Sequence, residues 1–304
     1  MSELLEGKVA LVTGGGRGIG RGIAIACAAA GAKVVVNDLG ASLDGKLGGE
    51  QPAHEVVARI KELGGEAIVD GGSVADWGAA NRMVEAAVNA FGRIDIVVNN
   101  AGILRDAMFH RMVEAEFDEV LAVHLKGSFN VSRAAAPHFK AQGSGVYVHM
   151  TSTSGLIGNF GQANYSAAKL GIVALSKAIA LDMRKFGVRS NAVAPFAWTR
   201  MIDSIPSETP EQKKRVEGLK KLVPERVAPF VVGLCADAAA DVSGQIFGVR
   251  NNEIYLFSQP RPIRNAHCGD GWTPESVVAT ALPMLRAGFF PLDRSGDVFT
   301  WDPV

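Results

Sequence analysis

The sequence predicts an α/β fold: a doubly wound parallel sheet of about seven strands with helices on both faces, followed by a C-terminal extension. Three observations carry that prediction. Short β-branched runs alternate with longer helical stretches along most of the chain. Glycine-rich junctions separate them, the first directly after the first strand. The chain has 304 residues, 48% of them hydrophobic, enough for one sizeable buried core.

The elements follow in order. A strand over 9–13 leads through glycines into a helix over 19–30 and a strand over 33–37. A helix over 52–63, a strand over 67–70, a helix over 76–91 and a strand over 94–99 continue the alternation. One long helix is expected over 114–141, then a strand over 146–151, a helix over 163–186 and a strand over 188–193. A helix over 225–236 and a last strand over 245–257 complete the series. Two segments break it. Residues 196–224 follow a strand, are rich in polar side chains and contain a short helical stretch over 211–222, a place and length suited to a lid over a site. After Gln259, Pro260 and Pro262 act as breakers and Thr273-Pro274 marks a helix start. Residues 1–259 are therefore read as one catalytic domain, and 260–304 as an extension packed on it or on a partner subunit.

Charge and cysteine content narrow the function. With 31 basic and 31 acidic residues the net charge is zero, which gives no electrostatic case for nucleic acid or a membrane surface as partner. Cys27, Cys235 and Cys268 are odd in number and lack metal-type spacing, as expected of reduced thiols. The six histidines are scattered, so no metal site is expected. No leader pattern opens the chain, and no run reaches the ~20 apolar residues of a membrane helix, so a cytoplasmic protein is expected.

The run Thr13-Gly14-Gly15-Gly16-Arg17-Gly18-Ile19-Gly20 lies between the first strand and the first helix. Gly14, Gly16, Gly18 and Gly20 permit a tight turn and let backbone approach a pyrophosphate, while Arg17 and Ile19 stand at the helix start. Glycine loops are common, but this placement is the one a Rossmann-type dinucleotide site requires. Asp38 follows the second strand, where a carboxylate accepts hydrogen bonds from ribose hydroxyls and repels a 2′-phosphate, so NAD is expected as the cofactor. Arg17 is the counter-argument, since a guanidinium in the loop can reach such a phosphate.

Tyr165 and Lys169 are four apart in a helical stretch and share one face. A free phenol titrates at ~10. Lowering that to ~7 takes ~4 kcal/mol, about what an ammonium ~4 Å away supplies at an effective dielectric near ~20. Desolvation opposes this, and the positive ring of an oxidised nicotinamide assists it. Ser152, at the end of a strand, is placed to hold the substrate oxygen while Tyr165 takes or gives the proton. A Tyr-x-x-x-Lys pair alone arises by chance in many helices; its occurrence with Ser152 and the glycine loop gives it weight.

Together the glycine loop, Asn99-Asn100-Ala101-Gly102, Ser152, Tyr165-Ser166-Ala167-Ala168-Lys169 and Pro195 with Thr199 resemble the short-chain dehydrogenase/reductase family over residues 7–257. The strings VNDLG at 36–40, NNAGILRD at 99–106, VHLKGSF at 123–129 and GNFGQANYSAAKLG at 158–171 resemble, more narrowly, the dehydrogenase part of the peroxisomal multifunctional enzymes of type 2, also called 17β-hydroxysteroid dehydrogenase type 4. That resemblance implies NAD-dependent oxidation of a 3-hydroxyacyl-CoA, with a fatty or steroid side-chain acyl group, to the 3-ketoacyl-CoA. It implies Ser73 and Val74 beside the adenine, Asn100, Ala101 and Gly102 near the ribose, and Pro195, Ala197 and Thr199 near the nicotinamide, which Tyr165 and Lys169 also border. A homodimer or homotetramer is implied too. The hydratase and sterol-carrier parts of those enzymes have no counterpart here, so a stand-alone relative is expected.

There are two departures. His124 stands where most of the family has an asparagine that holds a relay water, and histidine can replace it if the relay uses the main-chain carbonyl. Gly72 stands where an aspartate is usual. Lys213, Lys214, Arg215, Lys220 and Lys221 in the lid segment either attract coenzyme A phosphates or form a solvated helix face. The tail after residue 260 offers no match. Two other functions stay open: an NADPH-dependent ketoacyl reductase or free hydroxysteroid dehydrogenase, and a non-catalytic dinucleotide-binding sensor or assembly protein.

Overall fold

In β1 (Val9–Thr13) every residue is buried, because strands flank it on both sides and helices cover both faces. The computed structural model, which describes residues 3–40, 51–197, 217 and 221–303, places it within one eight-stranded sheet. The others are β2 (Lys33–Asn37), β3 (Ala67–Asp70), β4 (Ile96–Asn99), β5 (Gly145–Met150), β6 (Val188–Phe196), β7 (Ile246–Arg250) and β8 (Glu253–Leu256). The order is β3-β2-β1-β4-β5-β6-β7-β8. All neighbours are parallel except β7 and β8. The chain runs outward from β1 to β3 and then returns to β4 on the other side of β1. The strand order therefore reverses at the carboxyl ends of β1 and β4, where a crevice for ligand opens.

Helices α1 (Gly18–Ala29) and α2 (Pro52–Glu62) cover one face with the helix Ala228–Cys235. Ile23, Cys27, Val56, Ile60, Val231 and Cys235 pack there on Val12, Val34 and Val148. On the other face lie α3 (Trp77–Phe91), α5 (Gly127–Gln142) and α7 (Ala163–Met183). Met83, Val84, Val131 and Phe139 pack there on Leu11, Val97 and Tyr147. No described helix is long and apolar enough to cross a membrane.

The structure corrects two of the expected elements. The single last strand over 245–257 is two strands joined at Asn251-Asn252, which brings the about seven expected strands to eight among the described residues. Asn251 has φ 55, a left-handed conformation that asparagine tolerates and that a two-residue antiparallel hairpin requires. The long helix expected over 114–141 is α4 (Glu114–Leu121), a π-helical turn over Ala122–Lys126, then α5. Such single π turns occur where a helix is adapted to a site. Between β5 and α7 lies the short α6 (Thr153–Leu156).

The tail returns to the sheet. Phe299 packs edge-on to Phe196 and Tyr255, with centroids 4.8 and 5.2 Å apart. Trp301 donates from Nε1 to Glu253 at 2.7 Å. Upstream, the backbone N–H and hydroxyl of Ser295 donate to Gly158 O at 3.0 and 3.1 Å.

Candidate active site

The glycine loop is shaped by contacts too close for any side chain. A Cβ at Gly14 (φ 61) would lie 2.9 Å from Ala101 Cα, and one at Gly16 would lie 2.8 Å from both Asp38 Oδ2 and Pro52 Cβ. At Gly20 it would collide with the Gly14 carbonyl oxygen. Gly18 (φ 51) opens α1, whose extended N-cap is Arg17 and whose first turn includes the half-buried Ile19 and no acidic residue. The loop after β4 is bolted to this turn. Asn100 N–H and Ala101 N–H donate to Thr13 Oγ1 at 3.0 and 3.1 Å, and Asn100 Nδ2 donates to Thr13 O and Gly14 O at 3.0 and 3.1 Å. Asp38 is held by Gly16 N–H and Gly40 N–H, each 2.9 Å from a carboxylate oxygen. A bare backbone cradle at a helix N-terminus, with a fixed carboxylate beside it, fits a dinucleotide's pyrophosphate and ribose.

The expected adenine side lies at the end of β3. Asn37 Nδ2 donates to Asp70 Oδ1 at 2.8 Å and to Gly72 O at 2.9 Å, and Gly72 N–H donates to the same Asp70 oxygen at 2.8 Å. A Cβ on Gly72 would lie 3.1 Å from that oxygen, so Asp70 takes up the space beside residue 72. Ser73 is half-buried and Val74 buried, the carbonyl of Val74 accepting from Asn130 Nδ2 at 2.9 Å.

The candidate reacting residues come together from two elements. Ser152 leaves β5 as the N-cap of α6, its Oγ accepting from Ser154 N–H at 3.1 Å, and it lies close enough to Tyr165 to ease ionisation of the phenol. Tyr165 and Lys169 lie one turn apart on α7. Lys169 is buried, donates from Nζ to Met150 O at 2.7 Å, and sits 5.4 Å from the Tyr165 ring centroid. Burial lowers its pKa to about 7. Burial pushes the Tyr165 phenol up to about 12, with the Ser152 hydrogen bond opposing and the Asp106 charge reinforcing the rise. In the protein by itself, then, desolvation dominates, and the phenol is a neutral acid near neutral pH.

His124 lies in the π turn, fully buried, its ring edge-on to Tyr165 with centroids 5.2 Å apart. Nε2 lies 3.0 Å from Ile103 N and 2.7 Å from Ile103 O, and as one atom it serves one of them according to tautomer. Burial and the nearby Lys169 lower its pKa to about 3, so it is neutral. A Cβ on Gly102 would collide with this ring, which explains the glycine there. The His124 carbonyl accepts from Ser128 Oγ at 2.6 Å.

Pro195, half-buried near the end of β6, pairs with Val249, and Ala197 is buried in the core. Thr199 lies outside the described residues, as do Lys213, Lys214, Arg215, Lys220 and most of the 196–224 segment with its expected helix. The sequence reading missed Asp106 and Gln162, which meet beside Tyr165; the only signal is that both fall within the strings shared with the narrower resemblance.

The family described as short chain dehydrogenase matches residues 8–208. The chain is 46% identical over 239 residues to the peroxisomal multifunctional enzyme type 2 of Mus musculus, an alignment covering 79% of this chain and 31% of that protein. To a hydroxyacyl-CoA dehydrogenase of Mycobacterium tuberculosis it is 38% identical over 285 residues, covering 91% of this chain and 88% of the other, so that match takes in part of the tail. The crystal structure of a short chain dehydrogenase from Mycobacterium avium superposes with a TM-score of 0.83 at 39% identity, covering 96% of this chain and 99% of that one.

Proposed function

This chain belongs to the short-chain dehydrogenase family, and on that premise we propose that it oxidises a 3-hydroxyacyl-CoA to the 3-ketoacyl-CoA with NAD. It is an oxidoreductase acting on CH–OH. The observation that carries the proposal is the meeting of Ser152, Tyr165 and Lys169 beside the glycine cradle. Likeness to a hydroxyacyl-CoA dehydrogenase supports the substrate class, with fatty and steroid side-chain acyl groups both open.

Gly14, Gly16, Gly18 and Gly20, with Arg17 and Ile19, would hold the pyrophosphate, and Asp38 the adenosine ribose. Ser73 and Val74 would flank the adenine, Asn100, Ala101 and Gly102 the second ribose, and Pro195, Ala197 and Thr199 the nicotinamide. Asp38 supports NAD, because its anchored carboxylate repels a 2′-phosphate. The cofactor supplies a hydride acceptor whose ring carries positive charge. Ser152 holds the substrate hydroxyl in place. Tyr165 takes the hydroxyl proton, and Lys169, within 5.4 Å of its ring, favours the phenolate when charged. In the reverse direction Tyr165 gives the proton back.

A cytoplasmic homodimer or homotetramer completes the reading. Balanced charge and two buried free thiols support the compartment. Outward-facing Phe129 on α5 and Leu170 and Leu181 on α7 support pairing through the helices that flank the sheet. The test is a panel of short, long and steroidal hydroxyacyl-CoA thioesters beside their free alcohols, assayed for NADH and for NADPH formation. Oxidation of thioesters with NAD is expected; oxidation of free alcohols alone, or with NADP alone, would overturn the coenzyme A or the NAD part.

A further inference from the structure

The loop leading from Ser152 to Tyr165 is tied to the segment after β4 by hydrogen bonds that the proposed chemistry does not use. Gln162, at the N-cap of α7, donates from Nε2 to Asp106 Oδ2 at 2.8 Å. Its Oε1 accepts from Ser154 Oγ at 2.8 Å and from Asn159 Nδ2 at 3.2 Å. Ser154 N–H donates to Ser152 Oγ at 3.1 Å, and Ser152 stands next to Tyr165, whose ionisation it favours. Contacts therefore run from Asp106, at the exposed rim, through Gln162 to Ser154, whose own backbone N–H holds Ser152. Next to it, Ala107 N–H donates to Gly161 O at 2.9 Å, so the two segments also meet backbone to backbone.

We propose that Asp106 is a positioning residue for the reacting pair, acting through Gln162 to fix Ser154 and, with it, the place of Ser152 beside Tyr165. The chemistry of an amide makes this directional. A carboxylate only accepts, so Gln162 must turn its NH2 to Asp106 and its oxygen to Ser154. That oxygen takes the Ser154 hydroxyl proton. The Ser154 N–H then occupies one lone pair of Ser152 Oγ, leaving the Ser152 proton and its other lone pair for the phenol and the substrate oxygen. Without the carboxylate, the Gln162 amide can flip, and the Ser154 hydroxyl then loses the fixed acceptor that pins the turn carrying Ser152.

Asp106 also acts by charge, since a nearby anion disfavours the phenolate. The groups that face Tyr165 are Lys169 from α7, the neutral His124 from the π turn, Ser152 from the end of β5 and Asp106 from the segment after β4. The adjacent Arg105 is paired with Glu119 of α4 at 2.8 Å.

This inference rests on the reading of Ser152 and Tyr165 as the reacting pair, and two measurements separate its failure from the failure of that reading. The first is the pH profile of kcat and KM on whichever secondary alcohol the enzyme oxidises. Asp106→Ala is expected to lower kcat about tenfold with KM within about twofold, the scale of one lost charged hydrogen bond at a partly exposed site. Asp106→Asn keeps an acceptor for Gln162, so it should restore kcat and move the acid limb to lower pH. Gln162→Ala should match Asp106→Ala, and the double variant should be no worse than either. The second measurement needs no substrate: NMR of 13Cζ-labelled tyrosine, in which the Tyr165 signal should move in Asp106→Ala and Gln162→Ala and stay near its place in Asp106→Asn. Unchanged kcat and an unmoved Tyr165 signal in Asp106→Ala would overturn the proposal, as would a loss confined to KM or a failure of Asp106→Asn to rescue. A moved signal in a protein that oxidises no secondary alcohol would uphold the network and overturn the proposed function alone.

Discussion

The two halves of the site are built from different materials. The half at β1 and α1 is made of backbone: glycines whose missing Cβ atoms leave the space at the N-terminus of a helix. The half at β5, α7 and the π turn is made of side chains, the buried Lys169 and His124 and the half-buried Tyr165, whose protonation is set by desolvation against hydrogen bonds. The first half tolerates no added atom; the second depends on charge that the fold itself makes costly. Steric damage should therefore spoil binding in one half, and altered protonation should spoil turnover in the other.

The sharpest way to break that division is Gly20→Ala. Its methyl group would overlap the Gly14 carbonyl oxygen, so the loop must move. Overpacking of this kind costs about 1–3 kcal/mol in stability, and the dinucleotide dissociation constant should rise about tenfold or more, the equivalent of at least ~1.4 kcal/mol. Titration of cofactor fluorescence and a thermal melt measure the two effects. Unaltered affinity would mean that the loop does not cradle the dinucleotide.

A second change sharpens the comparison within the first half. Asp38→Ser keeps a short polar side chain and removes the charge. The ratio of kcat/KM for NAD over NADP should fall about tenfold or more, the scale of a charge-assisted hydrogen bond. An unchanged ratio would hand cofactor choice to Arg17 or to another group.

The smallest effect is on stability against pH. His124 and His149 are buried, and their pKa values are lowered to about 3 in the folded chain from an ordinary value of 6.5. Between those values the unfolded chain binds protons that the folded chain does not, so stability should fall as pH drops from about 6.5 toward about 3. Below that window the loss is complete. His149→Phe should flatten part of this slope in denaturant titrations at pH 6.5 and 4.5, and an equal slope in the variant would contradict the burial argument. Lys169 acts in the opposite range. Its pKa, lowered to about 7, makes the folded chain release a proton the unfolded chain keeps, so stability should rise with pH above about 7 until the ordinary lysine range.

How far the sequence revealed these halves follows from the same contrast. The glycine cradle was legible because its signal is local: strand, four spaced glycines and helix within a dozen or so residues. Tyr165 and Lys169 were legible because one helical turn fixes their shared face. The split of β7 from β8 was hidden, since Asn251-Asn252 interrupts an apolar run that continues on either side. The π turn at 122–126 was hidden as well, because one extra residue in a turn scarcely alters the apolar period over 114–141. Asp106 and Gln162 lie 56 residues apart and meet only after the fold has formed. The raised pKa of Tyr165 and the lowered one of Lys169 required knowing how far the packing of α7 on β5 removes water from them.

The measurement that most directly tests the central claim is the paired determination of NAD affinity and of NADH formation from a 3-hydroxyacyl-CoA in the native chain and in Tyr165→Phe. A proton-transfer role predicts that the variant binds NAD as the native chain does and turns over ~10²–10⁴-fold more slowly. A variant that forms NADH at the native rate would show that another group moves the proton, and the account of the second half would fall.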